Sequence, residues 1–117
     1  MPWTVSFAEE FKPEFARLGK EVRREIYAKM EQLERRGPSL GRPDAGTLNR
    51  SKHANMKELR FKIAGGVWRS AFAFDPARQA ILLVCGNKAG KNEQRFYRQL
   101  IKQADARYDH HLAAGKG

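Results

Sequence analysis

The sequence predicts an α+β fold in the order β-α-α-β-β-β-α, as one domain over residues 1–117. Three observations lead there. Apolar and polar residues alternate over residues 3–7. A run of apolar residues at three- and four-residue spacing follows. Then come three strand-like segments and a last amphipathic run. The expected architecture is a mainly antiparallel sheet packed on helices on one face, with the last few residues disordered.

Trp3, Val5 and Phe7 alternate with Thr4 and Ser6, which is the two-residue period of a strand. Phe11, Phe15, Leu18, Val22, Ile26, Met30 and Leu33 then form one helical stripe, broken near Leu18-Gly19 into two helices. Pro13 suits the first turn of the first helix, where its missing N–H costs little. The second helix ends at Arg35-Arg36, whose charges suit the negative end of the helix dipole, with Gly37 and Pro38 beyond. Residues 37–56 are rich in Gly, Pro, Ser and Asn and read as a long loop, a length that usually carries function. Strands are expected at about 57–63, 67–74 and 79–86, with Asp75-Pro76 marking the turn between the last two. Ala80 to Cys85 is apolar on both parities, as in a strand inside a sheet. The final helix runs from about Asn92 to His110, with Phe96, Leu100, Ile101, Ala104 and Tyr108 as its stripe.

Composition narrows the function. Cys85 is the single cysteine, so no disulfide forms within the chain, and a reducing, cytoplasmic setting is expected. The first residues carry acids where a signal peptide is basic and then apolar, and the apolar run at 80–85 is too short to span a membrane. The net charge is +10, and it is uneven. Residues 1–36 hold eight basic and seven acidic side chains, whereas residues 42–107 hold fourteen and five. Basic charge concentrated in one part of a chain points to an anionic partner, most often nucleic acid.

The hairpin "LRFKIAGGVWRSAF" at 59–72 is where that charge becomes specific. With Gly65-Gly66 as a two-residue turn, both at positive φ, Ala64 pairs with Val67. Leu59 then faces Phe72, Phe61 faces Ser70 and Ile63 faces Trp68 on the core side. Arg60 faces Ala71 and Lys62 faces Arg69 on the other side, so Arg60 and Arg69 are diagonal neighbours. Like charges across strands destabilise a sheet unless an anion lies between them, and a guanidinium fork suits phosphate. Ala71 and Ala73 beside them suggest an open, concave basic floor.

Lys88 and Lys91 follow the last strand in "NKAGK", a loop that lacks the spacing of a P-loop. His53, in Ser51-Lys52-His53, is a candidate for moving protons near neutral pH. Tyr97 could reach the rim of the floor or pack on its own helix. Adjacent His110 and His111 cannot share a face, and no metal-ligand spacing or catalytic triad is visible. Cys85 reads as a small core residue.

Five segments together carry a resemblance: "LGRP" at 40–43, "SKHANMKELR" at 51–60, "WRSAFAFDP" at 68–76, "AILLVCGNKAG" at 80–90 and "ADARYDHHL" at 104–112. In this order the chain resembles the RelE/ParE superfamily of toxins from bacterial type II toxin–antitoxin modules, in the HigB-like, phage Gp49-like group. The resemblance implies a cognate antitoxin, often a helix-turn-helix protein, and ribosome-dependent mRNA cleavage without a metal or other cofactor. It implies that Arg60 and Arg69 hold the phosphate and that Lys88 adds charge or acts as acid. His53 or Tyr97 would serve in proton transfer, and Lys52, Lys57, Lys62 and Lys91 would bind RNA. Two positions depart from the pattern: Asn87 where an aspartate is expected before the lysine, and Glu58 where RelE-like nucleases carry a basic residue. The superfamily also holds ParE-type gyrase inhibitors, so the alternatives are gyrase inhibition and a non-catalytic nucleic-acid-binding module.

Overall fold

In a computed structural model that describes residues 3–115, the order is β1 (Thr4–Phe7), α1 (Phe11–Arg17), α2 (Lys20–Arg36), a 3-10 turn (Gly37–Ser39), β2 (Ala45–Thr47), β3 (Met56–Ile63), β4 (Gly66–Phe74), β5 (Gln79–Asn87) and α3 (Glu93–Gly115). The expectation of disorder at the C-terminus falls partly on Lys116 and Gly117, outside the described residues. Ala113 to Gly115 are helical. One five-stranded sheet has the order β1-β5-β4-β3-β2. Its pairs are antiparallel except β1 with β5. The 3-10 turn and β2 both lie in the stretch expected to be loop. Ala45-Gly46-Thr47 has neither alternation nor bulk, and it becomes a strand by pairing with Lys57–Leu59.

The hairpin turn sits one residue earlier than expected. Ala64 and Gly65 take the positive-φ positions, at 37° and 84°, and Gly66 opens β4. Gly66 serves the strand instead of the turn: a Cβ there would lie 2.5 Å from the Trp68 Nε1. Only glycine lets this indole lie over the start of β4, where its ring stacks 6.3 Å from Phe61 at an interplanar angle of 3°. Leu59 therefore pairs with Ser70, Phe61 with Trp68 and Ile63 with Gly66. Each partner moves by two residues, so the face assignment survives while every expected pair is replaced.

Helices cover both faces of the sheet, not one. Phe74, on the face of Leu59 and Phe72, packs edge-on against Trp3, whose backbone N–H donates to Glu34 of α2. Ile26 and Leu33 of α2 are fully buried. The opposite face carries Glu58, Arg69, Ala71 and Gly86, and α3 crosses it. A Cβ at Gly86 would sit 2.9 Å from the Phe96 ring, so glycine lets the helix settle directly on β5. Ala71 and Ala73 are fully buried. The small residues that suggested an open floor are a seat for α3. Asn92 starts this helix by accepting the Arg95 N–H with its side chain at 3.0 Å. No helix among the described residues is long and apolar enough to cross a membrane.

Candidate functional site

The register places Arg60 directly opposite Arg69. Arg69 is buried, 4% exposed, and its fork is held at two points. Nε donates to the Tyr97 hydroxyl at 3.0 Å and Nη1 donates to the Trp68 carbonyl at 2.9 Å. The Tyr97 hydroxyl in turn donates to Glu58 Oε1 at 2.9 Å, and that oxygen lies 3.7 Å from Arg69 Nε. Burial and the Glu58 hydrogen bond raise the Tyr97 pKa above its ordinary value, which keeps it a phenol at neutral pH.

Arg60 is half-buried, and its backbone N–H donates to the Asp44 carbonyl at 2.8 Å. This bond fastens the 42–44 segment beside β3, past the end of β2. The result is a cleft of about 500 Å³ lined by Lys29, Arg42, Pro43, Asp44, Arg60, Phe61, Lys62 and Arg69. Five of these are cations. The one carboxylate, Asp44, already accepts Lys29 Nζ at 2.7 Å. Among the described residues, Arg42, Arg60 and Lys62 make no side-chain ion pair. Low-dielectric walls and unmatched charge of one sign focus a field that attracts an anion.

Lys88 reaches the same neighbourhood. Its ammonium lies 5.6 Å from the Tyr97 ring centroid and bonds Glu93 at 2.5 Å. The Lys88 hydrogen bond and charge hold the Glu93 carboxyl below its usual range, and the charges of Arg69 and Arg60 add to that. Asn87 does not position this lysine. Its Oδ1 accepts the N–H groups of Val67 and Ala89, each at 3.0 Å, and so caps the end of the ladder. An amide oxygen does this as well as a carboxylate, and Glu93 takes the place of the expected aspartate beside Lys88.

The other expected site residues lie elsewhere. His53 Nε2 meets Asp109 Oδ1 at 2.9 Å, with its ring edge-on to Tyr108. Lys52 pairs with the same carboxylate at 2.5 Å, and Ser51 bonds Asp105. Asp109 is twelve residues along α3 from Tyr97, about 18 Å at 1.5 Å per residue. The histidine is therefore not brought to the arginine pair. Lys57 shares the parity of Leu59 and Phe61, so it lies on the sheet face opposite Arg60. Lys62 is exposed and lines the cleft. Lys91 lies over Phe96 and borders a separate groove with Cys85 and Arg95. Burial pushes the Cys85 thiol up to about 12, in keeping with a core role. Sequence reasoning missed Lys29 and Arg42 in the cleft, and it noted Glu58 only as a departure. A glutamate inside a strand otherwise apolar or basic was the available signal for the last.

The comparisons with known proteins fit this geometry. Residues 13–109 match the family described as phage derived protein Gp49-like. The chain belongs to this family. A Mycobacterium tuberculosis protein that bears the toxin name HigB3 is 46% identical over 103 residues, which is 88% of each chain. A second, which bears the toxin name HigB2, is 48% identical over 97 residues, 82% of this chain and 48% of that protein. The chain thus spans about half the length of HigB2 and most of HigB3. A solved structure of an arginine-to-alanine double mutant of the E. coli toxin RelE, in the free state, superimposes with a TM-score of 0.53. It covers 86% of this chain and 95% of RelE at 17% identity, which shows that this Gp49-like chain has the RelE fold.

Proposed function

We propose that this chain is the toxin of a type II toxin–antitoxin pair and that it cleaves mRNA on the ribosome. One observation carries the reading: Arg60 and Arg69 stand directly opposite each other in a cleft where, among the described residues, Arg42, Arg60 and Lys62 have no carboxylate partner. Like charges across a ladder cost stability, by roughly 0.2–1 kcal/mol. The sheet carries that cost, and a phosphate between the two forks relieves it. In cleavage, the RNA 2′-hydroxyl gives its proton to solvent water as its oxygen forms a bond to the adjacent phosphorus, and the bond to the 5′-oxygen breaks, leaving a 2′,3′-cyclic phosphate. The two arginines stabilise the charge that develops on the non-bridging oxygens. Lys88, beside Tyr97, protonates the departing 5′-oxygen. The cations supply the positive charge without a metal. The reading places the protein in the cytoplasm, where ribosomes are, and gives it a cognate antitoxin, a helix-turn-helix protein, as partner.

The HigB-named relatives support the toxin part of the reading, and the basic cleft supports RNA as the target. The test is primer extension on mRNA from cells expressing the chain without antitoxin, beside a DNA-supercoiling assay. Cuts within translated codons are expected. Trapped gyrase–DNA complexes with intact mRNA would overturn the proposal in favour of gyrase inhibition.

A further inference from the structure

We propose that Glu58 is a positioning residue for the cleavage reaction: acting through the Tyr97 hydroxyl, it fixes the direction in which the Arg69 fork faces the cleft. The inference rests on the function proposed above and deepens it.

A guanidinium has five N–H donors in one plane. In Arg69 the Nε–H is taken by Tyr97 and one Nη1–H by the Trp68 carbonyl. Three donors remain, one on Nη1 and two on Nη2, and Arg69 lines the cleft with Arg60. This division holds only while the Tyr97 oxygen turns a lone pair toward Nε. A free phenol rotates its hydrogen, and it could as well point that hydrogen at the arginine. Glu58 removes the freedom. Its Oε1 accepts the phenol proton at 2.9 Å, so the lone pair faces Arg69. Glu58 is itself 7% exposed on a central strand, so its carboxylate has little room to leave this arrangement. The order of donation along the chain is Arg69 to Tyr97 to Glu58. A carboxylate touching the arginine directly would occupy two of its donors and cancel much of its charge. With a tyrosine interposed, the nearest Glu58 oxygen stays 3.7 Å from Nε, and the outer donors stay available.

The test uses the full chain, translating ribosomes and a defined mRNA. Glu58→Ala and Tyr97→Phe should each lower the single-turnover cleavage rate by about 10²-fold, the scale of a small misplacement of a catalytic group. The ribosome concentration for half-maximal rate should move little. The double variant should be no worse than either single one, since both break the same chain. Glu58→Gln keeps an oxygen acceptor for the phenol and should retain most of the rate. Independently of any cleavage, ¹⁵N NMR should show the Arg69 Nε–H protected from solvent exchange in the parent and in Glu58→Gln, and exchanging rapidly in Glu58→Ala. If Glu58→Ala does not fold, Tyr97→Phe carries both readouts. Additive losses, a Glu58→Gln as slow as Glu58→Ala, or an Arg69 Nε–H that stays protected in Glu58→Ala or Tyr97→Phe would each overturn the inference. A parent that never cuts mRNA overturns the proposed reaction, and the NMR arm still decides whether Glu58 sets the fork.

Discussion

Two ends of α3 face two clusters of charge, and they are built in opposite ways. At its start, beyond the Lys88–Glu93 pair and the Tyr97–Glu58 contact to Arg69, lies a cleft where Arg42, Arg60 and Lys62 have no carboxylate partner among the described residues. Toward its end, each cation or imidazole meets a carboxylate. Lys52 and His53 share Asp109, His111 bonds Asp75 at 2.8 Å, and Arg107 pairs with Glu14. The residue types are alike. What differs is whether the protein supplies the counter-charge. Where it does, the pairs fasten α3 to the 51–53 loop, to the β4–β5 turn and to α1. Where it does not, the cations are left to solvent or to an anionic ligand. Counting cations along the sequence cannot separate the two regions, because pairing across the fold decides it.

The largest expected effect comes from breaking the unmatched end. Arg69→Ala and Arg60→Ala should each lower mRNA cleavage on ribosomes by about 10²–10³-fold, the usual loss when one preorganised donor to a developing charge is removed. Arg69→Lys should recover only part of it, because an ammonium cannot reproduce the planar fork. Growth arrest in cells without antitoxin should fall in parallel, with melting followed on the same proteins. Normal melting together with parent-rate cleavage for both alanine variants would erase the contrast between the two ends.

The sequence showed much of this arrangement and hid the rest for identifiable reasons. The alternation in "LRFKIAGGVWRSAF" placed Arg60 and Arg69 on one face opposite Leu59, Phe61 and Phe72, and the structure keeps that face. It could not show that the arginines are direct partners, because Gly65-Gly66 reads as the turn pair while the chain turns at Ala64-Gly65 and keeps Gly66 in the strand under the Trp68 indole. It could not show β2, which has no propensity of its own and exists by pairing with β3. The roof over the alanines was readable in principle. Ala71, Ala73 and Gly86 form a strip of small side chains, and a helix needs such a strip to sit close to a sheet. His53 lies in a segment without periodicity, so nothing in the sequence tied it to Asp109, 56 residues away.

A smaller effect sharpens the comparison from the binding side. Arg42→Ala and Lys62→Ala each remove a cation that lines the cleft without an ion pair. Each should weaken binding to single-stranded RNA and lower the slope of log K against log salt by about 0.7–1, the contribution of one phosphate contact. Lys52→Ala, whose charge is already matched by Asp109, should change that slope by much less. Equal slope changes for Lys52 and Lys62 would mean that pairing within the protein does not govern which cations meet RNA.

The smallest effect lies at the matched end and is read by pH. The Lys52 hydrogen bond, and after it that of His53, hold the Asp109 carboxyl below its ordinary value of 3.8. A carboxylate with a lowered folded-state pKa adds stability above its unfolded pKa, and that stability is lost as pH falls through the folded value. Asp109→Asn should therefore melt below the parent at pH 6, and the gap should begin to close only as pH falls below about 4, toward the lowered folded-state value. Added salt should narrow the gap at pH 6, since these groups are largely exposed and screened. Glu10 and Glu93 also have lowered pKa values, so the difference between variant and parent is the quantity to follow. Cleavage by Asp109→Asn should stay within about tenfold of the parent, and so should cleavage by His53→Ala. A histidine that moved the reacting proton would cost about 10²–10⁴ instead. A loss of that size for His53→Ala, with normal melting, would move the matched end of α3 into the chemistry and dissolve the contrast between the two ends.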